Sequence, residues 1–301
     1  HPGAAHYTIH AFDDPVHAPL ALKAAFRFAQ IAPAVAHARH MPSHIFIQHG
    51  MWNHVASSNI SAYQAAIDLW ESGDSVGDAV HALDWGQYGH LQRGDYVLAR
   101  DWIGLLEDLG KRSDGAARAV STVPLMQTRY MVETGDWGRY TLADQTSAVA
   151  WYGRGMNALA ANDPKAAQKA ASEIEKKIAG IAEDTSTFAR SRKPTQIMHK
   201  ELLALVALEE GRAEEALALL EEGVAIANEM GAPRGSASPL KPIHELYGEA
   251  LIDLGRADDA IEHFEATLEG MPNRPLSLLG LARSQAQAGN ESEARRAYEK
   301  L

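Results

Sequence analysis

Four of the fourteen histidines in this 301-residue chain fall within residues 37–50. His37, His40 and His44 are spaced i, i+3 and i+7, so a helix would carry all three on one stripe. Pro42 suits the first turn of a helix, so the helix could instead begin near Met41. In that case only His44 lies within the helix, and His37 and His40 precede its first turn. The stripe is typical of a polar groove with capping histidines, or of a metal or anion site. The residues alone leave both interpretations open.

A second histidine pair precedes this stretch. His6 and His10 are spaced i, i+4 on the predicted first helix, where two imidazoles can bind one ion. Neighbouring helices pack about 8–10 Å apart, so imidazoles from adjacent helices can converge on one point. Zinc, copper and nickel suit imidazole ligands, so a transition metal such as zinc or copper is the predicted cofactor, although no motif demands one. The predicted metal ligands are His6, His10, His40 and His44.

The elements that must position these side chains form a repeat, which is clearest near the C-terminus. Gly255 and Gly289 lie 34 residues apart, and each is followed by an alanine five residues later and an aromatic residue nine residues later. This pattern resembles the tetratricopeptide repeat, a helix-turn-helix unit with a 34-residue period. In such a unit glycine ends the first helix, the alanine lets the two helices approach, and the aromatic ring fills the space between hairpins.

The same template indicates about eight hairpins along the chain. Their turns are predicted at Asp13–Pro15, Gly50, Gly94, Gly135, Asn162, Gly211, Gly255 and Gly289. The sequence therefore predicts an all-α fold, an α-solenoid of tetratricopeptide-like hairpins in a right-handed superhelix. We expect a single array over residues 1–301, with a histidine-rich part at 1–110 and the most regular repeats at 195–301. An unrelated helical bundle is the alternative. The loop at 228–241 is expected to fold over the groove or the edge of the array.

Several short segments carry a more specific resemblance. They are HPGAAHYTIH at residues 1–10, HMPSHIF at 40–46, HALDW at 81–85, KPIHELYGE at 241–249 and PNR at 272–274. Together they resemble a family of bacterial tetratricopeptide proteins of uncharacterised function. The resemblance implies that the chain is the C-terminal portion of a longer protein, and it favours an exported or periplasmic location over a cytoplasmic one. It brings no established reaction.

In tetratricopeptide arrays the first helix of each hairpin lines a concave groove. Positions six, ten and thirteen residues before each turn would face this groove, since they share one helical face. The predicted groove is rich in histidine toward the N-terminus and mixes carboxylates with arginine toward the C-terminus. Besides the four predicted metal ligands, the predicted groove residues are His37, His81, Asp84, Tyr88, Arg129, Tyr152, Glu245, Glu249 and Arg283.

Composition excludes several other classes of site and partner. The formal net charge is −11 without a basic run, which argues against nucleic acid as a partner. There is no cysteine, so thiolate metal sites and disulfides are excluded. No apolar stretch approaches the roughly 20 residues that would insert in a membrane. Nucleophile elbows, phosphate loops and the His-Glu-x-x-His zinc motif do not occur.

Three hypotheses follow from these residues. The first is a binding scaffold whose concave groove recognises a peptide, a partner protein or a small ligand. The second is a metal-binding protein or metal-dependent enzyme that uses the histidine cluster. The third is a receptor for a small anionic ligand, held by Arg129, Arg283 and the histidines. A non-enzymatic role is favoured, catalysis is left open, and a homo-oligomer is an open alternative.

Overall fold

In the computed structural model, which describes residues 1–143, 147–181 and 192–301, all regular secondary structure is helical and no strand occurs. The first eight helices are α1 (Pro2–Ala11), α2 (Ala18–Ile31), α3 (Ala36–His40), α4 (Pro42–Gln48), α5 (Trp52–Asp68), α6 (Gly77–Gln92), α7 (Tyr96–Arg112) and α8 (Ala117–Thr134). The next eight are α9 (Ala148–Ala160), α10 (Pro164–Ile178), α11 (Arg192–Glu209), α12 (Ala213–Asn228), α13 (Ile243–Asp253), α14 (Ala257–Gly270), α15 (Pro275–Gln287) and α16 (Glu291–Tyr298).

The turns between helices form where the repeat pattern predicts them, except at Gly135, where α8 ends but residues 136–143 form no second helix. At Gly94, which has a φ of +75°, the N–H of Asp95 donates to the carbonyl of His90 at 2.9 Å and closes the end of α6. A residue with positive φ is what this type of helix end requires, and glycine meets the requirement without a steric cost. The same bond pattern recurs at Gly50, Asn162, Gly211, Gly255 and Gly289. The all-α class built of helical hairpins is therefore confirmed.

Backbone contacts divide the chain into two compact units. Unit 1 contains residues 1–130, 232–236 and 269–274, and unit 2 contains residues 131–231, 237–268 and 275–301. In unit 1, α1 packs on α2, α2 on α4, and α6 on both α5 and α7. In unit 2, α9 packs on α10, α11 on α12 and α15 on α16. The prediction of one continuous superhelical array stays a prediction.

The segment 232–236 lies over the helices of unit 1 that follow the histidine-rich stretch. Gln48 of α4 donates a side-chain hydrogen bond to the carbonyl of Pro233 at 2.9 Å. Arg129 of α8 donates to the hydroxyl of Ser236 at 3.0 Å. Gly235 lies so close to Trp85 of α6 that a Cβ there would be 2.9 Å from the indole ring. For residues 232–236, these contacts confirm the prediction that the 228–241 loop packs on the helices that carry the predicted groove residues.

In the core of unit 2, the aromatic residue of one repeat packs against glycines of neighbouring helices. Phe264 of α14 is fully buried, and two glycines on neighbouring helices make room for its ring. A Cβ added at Gly280 would lie 2.1 Å from this ring, and one at Gly248 would lie 2.7 Å from it. The predicted role of the aromatic residue as a filler between hairpins is therefore confirmed for Phe264, whereas Tyr298, at the equivalent position after Gly289, is 47% exposed. Among the described helices, none combines the length and the apolarity that a membrane span needs.

Replacing Gly280 with alanine tests this packing. We expect Gly280→Ala to lower the free energy of unfolding by about 1–3 kcal/mol, because the added methyl group overpacks against Phe264. Gly104→Ala in α7 is the matched control, since nothing lies within 4 Å of a Cβ at that helical glycine. The control should gain up to about 1 kcal/mol from helix propensity. Urea titration followed by circular dichroism measures both, and an unchanged midpoint for Gly280→Ala would contradict the packing.

Candidate metal centre

Four helices of unit 1 bring six histidines together. Helix α1 carries the first two, α3 the next two, and α4 and α6 one each. Between α3 and α4 the chain keeps helical dihedrals at Met41 (φ −50°, ψ −37°), so the one-residue break there does not redirect the side chains. His40 and His44 therefore keep the geometry of an i, i+4 pair. The six are His6, His10, His37, His40, His44 and His81.

Three of these imidazoles form a largely buried group, which we call the inner trio (His40, His44 and His81). The Nε2 atoms of His40 and His44 are 3.2 Å apart, and the ring centroids of His40 and His81 are 4.2 Å apart. One ring nitrogen from each of the three lies within 4.8 Å of the other two. The indole of Trp85 packs 4.8 Å from the His40 ring and 4.4 Å from the His44 ring. The inner trio thus has the size and composition of a three-ligand metal site.

The hydrogen bond on the far side of His40 determines which of its ring nitrogens carries the proton. Its Nδ1 lies 2.7 Å from Oδ1 of Asn59. The amide nitrogen of Asn59 donates to the carbonyl of Val55 at 2.8 Å, which leaves the amide oxygen facing the ring. Because an amide oxygen can only accept, Nδ1 of His40 must be the N–H donor. Nε2 of the neutral ring then carries a lone pair.

His44 is oriented in the same way by a carboxylate. Its Nδ1 lies 2.8 Å from Oδ2 of Asp13, and Gln48 donates to the other oxygen of Asp13 at 3.1 Å. Burial raises the pKa of Asp13 to about 6, so this carboxyl group is still ionised at neutral pH. The carboxylate accepts the Nδ1 hydrogen of His44, and Nε2 again carries the lone pair. Outer partners of this kind are the usual orienting groups of metal-binding histidines.

Two lone pairs consequently face each other across 3.2 Å. Protonating a ring would relieve the contact, but burial and the neighbouring His81 lower the pKa of both His40 and His44 well below 6.5. Two imidazole nitrogens bound to one tetrahedral zinc at 2.0–2.1 Å would be about 3.3–3.4 Å apart. The observed separation is close to that value, and a cation is the species that would stabilise it.

The structure divides the histidines differently from the sequence-based prediction. His6 and His10 do not join His40 and His44 at one point. They lie beside it with His37, and we call these three the outer trio (His6, His10 and His37). His81, which was predicted as a groove residue and not as a metal ligand, belongs to the inner trio. The reason is that α3 carries His37 and His40 one turn apart, so it contributes one imidazole to each group.

Asp84, Tyr88 and Arg129 were predicted to line an open groove, and the structure places them inside unit 1. Arg129 is 1% exposed, and its Nη2 lies 2.7 Å from Oδ1 of Asp84 and also donates to Ser236. Tyr88 is 1% exposed. The covering segment 232–236 explains the difference, because it closes the face that the repeat pattern leaves open. Arg129 is therefore paired inside the protein, which removes it as a cation for a small anionic ligand.

Two further predicted groove residues, Tyr152 and Glu245, are fully buried in unit 2. Lys241 donates to Glu245 at 3.0 Å and to Glu249 at 2.6 Å, so its ammonium group compensates two carboxylates. Glu201 lies ten residues before the turn at Gly211, so the same spacing places it on the predicted groove face. It is fully buried close to Tyr152, and burial raises its pKa to about 8.

The last predicted groove residue, Arg283, is exposed on α15. It lies in unit 2, as do Tyr152, Glu245 and Glu249, whereas both histidine trios lie in unit 1. The anion hypothesis therefore combines side chains of both units, since Arg129 and the histidines lie in unit 1 and Arg283 lies in unit 2.

Comparison with known families supports the repeat interpretation. A tetratricopeptide-repeat family model matches residues 251–301, and a second such model matches residues 198–222. The first match covers the turns at Gly255 and Gly289 with α14, α15 and α16 but only the end of α13, and the second covers most of α11 and more than half of α12. No curated protein sequence matches the chain.

The raised pKa of Glu201 predicts how the stability of the fold depends on pH. The pKa of Glu201 is about 8 in the folded state, against an ordinary value of 4.5. Between pH 4.5 and pH 8 its carboxyl group is therefore protonated in the folded state and ionised in the unfolded state. The free energy of unfolding should therefore fall as pH rises across this window, by about 1.4 kcal/mol per pH unit from this group. Glu201→Gln should remove that slope and be more stable than wild type at pH 8.

Urea denaturation at several pH values between 5 and 8.5 measures the slope. Glu209→Gln, at an exposed position of the same helix, is the matched control and should keep the wild-type slope. Equal slopes for wild type and Glu201→Gln would contradict the buried, protonated carboxyl group.

Proposed function

Since the chain carries tetratricopeptide repeats, which commonly mediate protein–protein interaction, we propose that it is an interaction scaffold that binds a transition metal at the inner trio. The single observation that supports the metal is the pair of Nε2 lone pairs of His40 and His44 facing each other at 3.2 Å. A site of this kind is costly to bury unless a cation occupies it, because the lone pairs have lost their contact with water.

The donor set indicates the class of metal. Three imidazoles without a thiolate, and without a carboxylate in the trio, suit zinc or copper. Three protein ligands leave the fourth position of a tetrahedral ion open. When bound, such an ion supplies a Lewis-acidic position to water or to a ligand. The protein's own contribution is to orient His40 through Asn59, to orient His44 through Asp13, and to exclude water with Trp85.

A cleft in unit 2 favours a basic peptide as the partner of the scaffold. Its volume is about 400 Å³, and Glu221 and Glu262 line it together with the paired rings of His244 and His263. The one arginine in its lining, Arg256, is bound by Asp259 at 2.7 Å. Carboxylates around a half-open cleft attract lysine and arginine side chains. A lysine-rich peptide that binds wild type and Glu221→Gln/Glu262→Gln equally would contradict this role.

Metal analysis of purified, untagged protein tests the inner trio. After chelation and reloading with zinc or copper, wild type should hold metal that resists gel filtration. His44→Ala and His81→Ala should each bind one equivalent fewer, because each removes one ligand of the trio. His54→Ala is the matched control, since it removes an exposed histidine of α5 in the same unit. Wild-type metal content in both His44→Ala and His81→Ala would exclude the site.

The partner of His44 gives a second, finer prediction. Asp13→Ala should weaken metal affinity about 10- to 100-fold without abolishing binding, because it removes the group that orients and polarises a ligand. Asp14→Ala is the matched control, since this neighbouring carboxylate binds His17 at 2.9 Å. Competition with a chromophoric chelator measures the dissociation constants. Equal affinities for the two variants would show that Asp13 plays no part in metal binding.

A further inference from the structure

An arginine of the covering segment 232–236 lies beside the inner trio. This residue, Arg234, follows Pro233, whose carbonyl accepts a hydrogen bond from Gln48 at 2.9 Å. Gln48 also donates to the carboxylate of Asp13, which in turn binds a histidine of the trio. The backbone just before Arg234 is thus tied to the group that orients one of the metal ligands.

The residue after Arg234 is fixed on the same site. Gly235 approaches the indole of Trp85 so closely that a Cβ there would lie 2.9 Å from the ring. The same indole packs against the rings of His40 and His44, at 4.8 Å and 4.4 Å between centroids. Contacts on both sides therefore hold the backbone of Arg234 at the edge of the inner trio.

The guanidinium group of Arg234 is exposed, and among the described residues no carboxylate forms an ion pair with it. Burial is the largest influence on the pKa of Asp13, which it raises, and of His10, which it lowers. The positive charge of Arg234 acts on both groups toward a lower pKa, so this charge lies on their side of the site. Asp13 does not pair with it directly, because its two oxygens bind His44 and Gln48.

From this placement we propose that the inner trio and Arg234 together bind an oxyanion, a carboxylate or phosphate group, with one oxygen on the metal ion and another on the guanidinium. The inference rests on the proposed function, because it names the ligand of the fourth position that three imidazoles leave open. Three neutral imidazoles leave both charges of a divalent ion uncompensated, and the charge of Arg234 offsets that of Asp13. A bound anion neutralises what remains.

The exposed side of the inner trio is the side on which Arg234 acts. Asn59 and Trp85, which pack on other sides of the trio, are both buried. The side chain of His44 is 13% exposed, and its ring lies 5.6 Å from that of the exposed His10. A ligand therefore reaches the trio past His10 and Arg234. The planar guanidinium presents paired N–H donors whose spacing matches two oxygens of a carboxylate or phosphate group.

Cobalt(II) tests the site, because its visible spectrum responds to the fourth ligand of a tetrahedral ion. The full chain is loaded with cobalt(II), freed of excess metal and titrated with phosphate in one series and with acetate in another. We expect a saturable spectral change in wild type, whereas calorimetry of the metal-free protein should detect binding of neither anion. The anion with the lower dissociation constant tells whether the site prefers phosphate or carboxylate groups.

Substitution of the arginine tests its part in the site. Arg234→Gln should keep its cobalt but raise the dissociation constant of the anion about 10- to 100-fold, since a hydrogen bond to a charged group is lost. Arg234→Lys should lie between this variant and wild type, because it keeps the charge and loses the planar fork. Arg27→Gln removes an exposed arginine of α2 in the same unit and should keep the wild-type affinity, which controls for net charge.

Cobalt content, measured separately by elemental analysis, distinguishes this proposal from the one on which it rests. If cobalt-loaded wild type responds to neither anion, or if Arg234→Gln and Arg27→Gln bind the anion equally well, the oxyanion site is overturned while the metal site stands. Equal anion binding by metal-free wild type would overturn it too. Loss of cobalt from Arg234→Gln would assign Arg234 a structural role instead. Wild type that retains no cobalt would overturn both proposals.

Discussion

The positions of two hydrogens govern the chemistry of unit 1. The Nδ1 hydrogens of His40 and His44 are held by Asn59 and Asp13, and both bonds turn the Nε2 lone pairs inward. Had either ring adopted the other tautomer, the contact between the two Nε2 atoms would be an ordinary hydrogen bond and no cation would be needed. The groups that select the tautomer are as important to the site as the imidazoles themselves.

The parts of the structure that sequence reasoning predicted are those determined by neighbours along the chain. The turn at Gly94 and the pairing of His40 with His44 depend on residues four or five positions apart, and such spacings are visible in one sequence. The place of His81 in the inner trio was not predictable in this way. It depends on the packing of α3 against α6, which no local pattern encodes.

The same distinction explains why the predicted groove differs from the observed interior. The repeat pattern correctly put Tyr88, Arg129 and Glu245 on the inward faces of their helices. It could not show that residues 232–236 cover part of that face, or that Lys241 would supply a charge for Glu245. Inward-facing polar residues are recognised from periodicity, whereas their exposure depends on segments distant in the sequence. The burial of Glu201, which also lies on an inward face, could not be predicted for the same reason.

Helix α3 has five residues, which is too few for a helix to be stable without tertiary contacts. It nevertheless carries His37 at one end and His40 at the other, so each trio uses part of the same short element. An ion bound through His40 would have to order this segment, and the cost of that ordering would lower its apparent affinity. Any interaction that orders α3 beforehand would therefore strengthen metal binding at the inner trio.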